Sequence, residues 1–158
     1  MSAQIINSPT NNKLKQLKQL QQKKYRQQQQ RLVIESLVII FDLLQSGIKP
    51  QSLFITKEML ATPNDKLLAI LQAGLDYFVI NNRLNKTASS LSTPSGIMAV
   101  YQQQELTPQL KGRVLYLNNI NDPGNLGTIL RTALAFGWSD VIMDETCADL
   151  YNAKTLSA

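Results

Sequence analysis

Residues 121–138 read NDPGNLGTILRTALAFGW, and the fold is decided there. The run before it, Val114-Leu115-Tyr116-Leu117, has the composition and length of a strand. Asp122-Pro123-Gly124-Asn125 reads as a turn, because Pro presets φ and Gly accepts φ above zero. Asn125 suits the N-cap of a helix, where its side chain takes an orphan backbone N–H. That helix is expected from Leu126 to about Phe136, closed by Gly137. Ile129, Leu130, Ala133 and Leu134 give it an apolar side. Gly127, Arg131 and Ala135 lie four apart, on another stripe. A helix-interior Gly costs ~1 kcal/mol relative to Ala. Small residues on either side of an arginine leave open space beside the guanidinium, which suits bidentate capture of a phosphate. On spacing alone, an arginine paired with a carboxylate at a packing interface has the better claim.

The chain of 158 residues is 44% hydrophobic, enough for one domain with a core or for a small domain and part of another. The single cysteine, Cys147, excludes an intrachain disulfide and points to the cytoplasm. With no histidine in the chain, Cys147 reads as a packed residue rather than a nucleophile. The same absence excludes Ser-His-Asp and Cys-His arrangements, His-bearing metal motifs and an imidazole base. No run of ~18 apolar residues is present, so no membrane helix is expected, and the first residues carry no signal-peptide core. The net charge of +5 is placed unevenly. Residues 1–31 hold seven bases and no acid, and the rest of the chain is net negative. Such asymmetry is an electrostatic footprint for nucleic acid.

Working back from the opening stretch, Thr93-Pro94-Ser95-Gly96 is a turn before a strand over 97–101. Residues 102–112 are polar, contain Pro108 and read as a linker. Strands are expected at 31–35, 51–56 and 76–80. Helices are expected at 36–45, from Pro63-Asn64 to Gly74, and from Asn82 to about Leu91. The alternation argues for a compact α/β sandwich. Near the start, Ser8 to Asn12 gives a turn and a cap, and one helix is expected from Asn12 to Gln30. Leu14, Leu17 and Leu20 mark its narrow apolar stripe. It is either a solvated, frayed segment or an RNA-facing helix with Lys13, Lys15, Lys18, Lys23, Lys24 and Arg26 on phosphates. The charge asymmetry favours the second.

Asp122, Pro123, Gly124, Asn125, Gly127, Arg131, Thr132, Ala133, Ala135, Phe136 and Gly137 form a gap-free match to D-P-G-N-x-G-x-x-x-R-T-A-x-A-F-G. This resembles the first motif of the SpoU/TrmH group of SPOUT-class RNA methyltransferases. Thr93 to Val100 is similar to the group's T-P-Q-G-x-x-A-V. Leu32-Val33-Ile34-Glu35 stands where it has F-L-V-E-G, with Ser36 in place of Gly. Asp149 to Lys154 resembles D-x-Y-[NS]-P-K, with Ala153 in place of Pro and Ser157 where an Arg is usual.

The resemblance implies methyl transfer from S-adenosylmethionine to a ribose 2′-hydroxyl of rRNA or tRNA. It implies catalysis at Arg131 with support from Asn125, and Gly127 admitting the RNA backbone. The implied architecture is α/β throughout. An RNA-binding sandwich like that of ribosomal proteins binding kinked RNA spans 1–101, with the linker at 102–112. The amino-terminal part of a SPOUT domain spans 113–158. The group's later glycine- and serine-rich motifs, which hold the donor in a knotted segment, have no match here. A truncated chain, inactive and binding no S-adenosylmethionine by itself, is therefore expected, and a homodimer for the complete cytoplasmic enzyme. The alternative is a non-catalytic RNA-binding module. An interaction protein that binds no RNA leaves the amino-terminal charge unexplained.

Overall fold

The computed structural model describes residues 2–104, 110 and 112–158, in two compact units that divide between Gln103 and Gln104. Residues 105–109 and 111 of the expected linker lie outside the described residues, and its first residue, Gln102, still belongs to a strand.

The first unit runs β1 (Ala3–Ile5), α1 (Asn12–Gln19), α2 (Lys23–Gln29), β2 (Arg31–Ile34), α3 (Leu37–Gln45), β3 (Ser52–Thr56), α4 (Lys57–Ala61), α5 (Asp65–Gln72), β4 (Tyr77–Ile80), α6 (Asn82–Ala88) and β5 (Ile97–Gln102). Its sheet has the order β1-β4-β3-β5-β2. The first three of these strands are parallel, and β5 runs antiparallel to both β3 and β2. Strand alternation sorts the apolar residues onto two faces. Val33, Phe54, Met98 and Val100 join Leu14, Leu17 and Leu20 of α1 and Leu84 of α6 in one core. The intervening Leu53, Ile55, Ile97 and Ala99 are equally buried on the other face, and Ile40, Leu67 and Ile70 come from α3 and α5, which pack on each other. Asn11, Ser36, Asn64 and Asn81 cap their helices by accepting backbone N–H groups.

Three expectations are corrected here. The single helix over 12–30 is two helices, broken between Gln19 and Lys23. The cause is Arg26, which is buried and whose guanidinium donates to the Leu20 carbonyl at 2.8 Å, fixing the turn. Arg26 is therefore a bracing residue inside the fold, not an RNA-facing one. Helix α6 ends at Ala88, short of Leu91, because the next residues are held elsewhere. The buried carboxylate of Glu35 accepts from Gln21 Nε2, from the Ser89 hydroxyl and from both the N–H and the hydroxyl of Ser90. It ties three connections together and satisfies an acidic group that would otherwise be costly to bury.

The second unit runs β6 (Val114–Leu117), α7 (Pro123–Ala135), β7 (Asp140–Met143) and α8 (Ala153–Ser157). The two strands are parallel, with Tyr116 opposite Ile142. Leu117, Leu126 and Cys147 form the buried centre of this unit, with Leu115, Ile129, Leu130 and Val141 around them. Cys147 is buried, and Sγ accepts from the Ile120 N–H. Among the described residues, no helix is long and apolar enough to cross a membrane.

Candidate functional site

Helix α7 begins one turn earlier than Asn125 would allow. Asp122 is the N-cap, its carboxylate accepting the Asn125 N–H at 2.7 Å, and Pro123 takes the first helical position. Pro suits that position because its fixed φ is helical and the missing donor would be an orphan anyway. The expectation of Asn125 as cap is corrected accordingly. Asn125 sits inside the first turn, and its exposed side chain lines a cavity of about 380 Å³ with Asn119, Asn121, Asp122 and Thr128.

The loop feeding α7 is held by side-chain hydrogen bonds. Asn119 takes φ 56°, a left-handed conformation that asparagine tolerates. Its N–H donates to both carboxylate oxygens of Asp144, and its side-chain oxygen accepts from Asn121 Nδ2 at 2.8 Å. Asp144 also accepts from the Thr146 hydroxyl and from the N–H groups of Thr146 and Cys147. The Thr146 hydroxyl above all, then Cys147 and the Asn119 N–H, hold the Asp144 carboxyl below the usual carboxylate range. Thr146 and Cys147 are local partners, but the Asn119 contact that ties Asp144 to the α7 loop spans 25 positions and has no sequence signal.

Asn125, Thr128 and Arg131 follow at intervals of three along an exposed side of α7. Arg131 lies about 9 Å along the axis from Asn125 at ~1.5 Å per residue. Among the described residues no carboxylate pairs with it. The Thr128 and Thr132 hydroxyls donate back into the helix, to the carbonyls of Gly124 and Thr128.

Gly127 is different from the rest of its stripe. It is buried, and a Cβ added there would stand 2.4 Å from the Thr155 carbonyl oxygen and 2.7 Å from Cβ of Ala158. The bare backbone at Gly127 receives α8. The expectation that it admits the RNA backbone is corrected for this packing reason.

In the first unit, Lys13, Lys15, Lys18, Lys23 and Lys24 are all exposed. Lys15 and Lys18 line one hollow of about 240 Å³ beside Pro9 and Thr87, and Lys13 lines a separate groove. Lys23 and Lys24 open α2, so these cations are spread over two helices rather than along one.

Two family descriptions cover most of the chain. The MRM3-like substrate-binding domain matches residues 11–99, and the SpoU rRNA methylase family matches residues 112–158. The chain belongs to the MRM3-like substrate-binding family over its larger part, and its remaining part matches the SpoU methylase family. Its relatives include the 23S rRNA (guanosine(2553)-2′-O)-methyltransferase RlmP of Bacillus subtilis, 31% identical over 96% of this chain and 58% of that protein. Mitochondrial rRNA methyltransferase 3 of Homo sapiens is 32% identical over 85% of this chain and 33% of that protein. The AdoMet-bound rRNA methyltransferase of Sinorhizobium meliloti superposes with a TM-score of 0.76 at 26% identity, over 99% of this chain and 60% of that one. This chain thus spans from one third to three fifths of the proteins it resembles.

Proposed function

We propose that this chain contributes the RNA-recognition domain and the first catalytic motif of a methyltransferase acting on a ribose 2′-hydroxyl of rRNA. S-adenosylmethionine is the proposed donor and supplies the electrophilic methyl group. The bare backbone of α7 at Gly127 is filled by Thr155 and Ala158, so that position offers a nucleoside no cradle.

What this chain's own residues do follows from α7. The observation that carries the reading is Arg131: an exposed guanidinium without a carboxylate partner among the described residues, just beyond a loop held rigid by Asp122 and Asp144. Methyl transfer needs the 2′-oxygen held in line, and its developing negative charge stabilised. Arg131 is too weak an acid to serve as a ready base. Its planar fork grips the neighbouring phosphate bidentately and favours the alkoxide. Asn125 orients the nucleotide from the mouth of the adjoining cavity. The five exposed lysines around α1 and α2 hold the surrounding RNA through its phosphates. The complete enzyme is proposed to act as a homodimer in the cytoplasm, consistent with the exposed apolar Leu134 and Phe136 on α7.

Arg131→Lys in the complete enzyme tests the assignment, because it keeps the charge and removes the fork. Turnover is expected to fall on the order of 10²-fold, the loss typical of a removed transition-state donor, with RNA affinity nearly unchanged. Near-normal methylation by this variant would remove Arg131 from the chemistry. Loss of folding in both Arg131→Lys and Arg131→Ala would assign it to packing instead.

A further inference from the structure

Two side chains anchor the connection between α1 and α2 to the interior of the first unit. Arg26 reaches back to the Leu20 carbonyl. Gln21, half-buried in the connection itself, reaches inward. Its Nε2 donates to Glu35 Oε1 at 3.1 Å and to the Ala88 carbonyl at 3.0 Å, so both amide hydrogens are used on buried groups. Glu35 is 5% exposed, and its other bonds come from Ser89 and Ser90 beyond the end of α6. Among the described residues no cation pairs with it, so neutral donors hold the carboxylate. Bonds to an ionised acceptor are about twice as strong as neutral ones, which fixes the Gln21 amide in place. Three exposed lysines lie within three positions of Gln21 in the chain, Lys18 before it and Lys23 and Lys24 after it. Among the described residues none of the three has a carboxylate partner.

We infer that Gln21 is a positioning residue for RNA binding. Tethered to Glu35, it fixes the bend that sets where Lys18, Lys23 and Lys24 stand relative to one another, and it does so without touching RNA. The inference rests on the reading of these lysines as phosphate contacts and goes beyond it by naming what arranges them. Local preference opposes the bend. Residues 12–30 are mostly glutamines, lysines and leucines, all of which favour a continuous helix. A connection free to straighten would present its lysines in many arrangements, and binding would have to supply the free energy of ordering them. With Gln21 held by a buried carboxylate and the Ala88 carbonyl, that ordering is complete in the free protein. Affinity then depends on a side chain that faces away from the ligand.

The experiment is a double-mutant cycle on the 158-residue chain, with binding of a fluorescein-labelled RNA hairpin read by anisotropy at low salt. One arm is Gln21→Ala, the other is Lys18→Gln/Lys23→Gln/Lys24→Gln, and the fourth protein combines them. Circular dichroism establishes folding, and Gln21→Met, which removes the amide and keeps the volume, replaces Gln21→Ala if the latter does not fold. Gln21→Ala alone is expected to weaken binding about fivefold, the scale of ordering one or two side chains. Added to the lysine variant, it is expected to change affinity by less than about twofold, because no cation is left to place. Undiminished affinity of the folded Gln21 variant would overturn the inference and leave RNA binding by the lysines standing. An equal loss with and without the lysines would also overturn it, since additivity marks a residue acting independently of them. No binding by the original chain, or full affinity in the lysine variant, would overturn the reading of these lysines as RNA contacts, and the positioning role with it.

Discussion

Tyr101 carries its hydroxyl into the interior of the first unit, where it is 3% exposed and, among the described residues, has no hydrogen-bond partner. Burial pushes its ionisation up to about 12 from the ordinary 10.0. The folded state holds that proton more tightly than the unfolded chain, so stability is complete below pH 10 and declines as the pH rises toward 12. Tyr101→Phe is expected to be neutral or stabilising at pH 7, because it removes an unpaired polar atom, and to flatten the alkaline decline. Urea unfolding at neutral and alkaline pH checks both parts. Asp144 works in the opposite direction. Its carboxyl is held below the usual range, so the loop it fixes is secure above that range and loosens as pH falls through the lowered value. Asp144→Asn is expected to loosen Asn119 at neutral pH and to erase this acid sensitivity, read as faster amide exchange at Asn119 and Cys147. Gly127→Ala forces a methyl into the Thr155 carbonyl, an overpacking that costs about 1–3 kcal/mol. Amides of α7 and α8 are expected to lose exchange protection while those of β3 and β5 keep theirs.

At the scale of elements, what could be read from the chain depended on how local the cause was. The α7 helix, its Gly137 stop and strand β6 were visible because turn residues and apolar runs act over a few positions. Asp122 and Asn125 are equally good caps by side-chain type, and Pro123 at the first helical position decides for Asp122. The break between α1 and α2 was hidden because glutamines and lysines sustain a helix pattern, and the cause is a buried contact from Arg26 to Leu20. Strand β1 was missed for a related reason. Ala3 to Ile5 are exposed and carry no alternation, and they become a strand only through pairing with β4. Arg131 is proposed from the letters of its motif, whereas the packing of Gly127 depends on α8, a five-residue helix that reaches it only through tertiary contact. For the hairpin of α1 and α2, Lys15→Glu/Lys23→Glu/Lys24→Glu is expected to weaken binding to structured RNA across sequences. If all three contact phosphates, the salt slope should shrink by about 2 to 3, at ~0.7–0.9 per contact. Filter binding over a salt series measures this, and an unchanged slope would remove these lysines from the interface.

For the whole chain, the positive excess lies in the first unit and the motif proposed for catalysis in the second, so substitutions are expected to separate RNA binding from turnover. Calorimetric titration of this chain with S-adenosylmethionine is expected to give no saturable heat. A single site per chain would require a nucleoside cradle in the residues described here and would overturn the account of Gly127. The order of the sheet has a further consequence, for synthesis. Strands β1 and β2 are made first, yet they form the two edges, and each waits for a partner made much later: Ala3 for Tyr77, and Arg31 for Gln102. Contacts so distant in sequence close slowly. Until β3 and β4 have left the ribosome, the seven-base leading segment has no sheet to pack against. While this protein is being born, its most basic stretch therefore emerges unshielded, beside the polyanionic RNA of the ribosome itself.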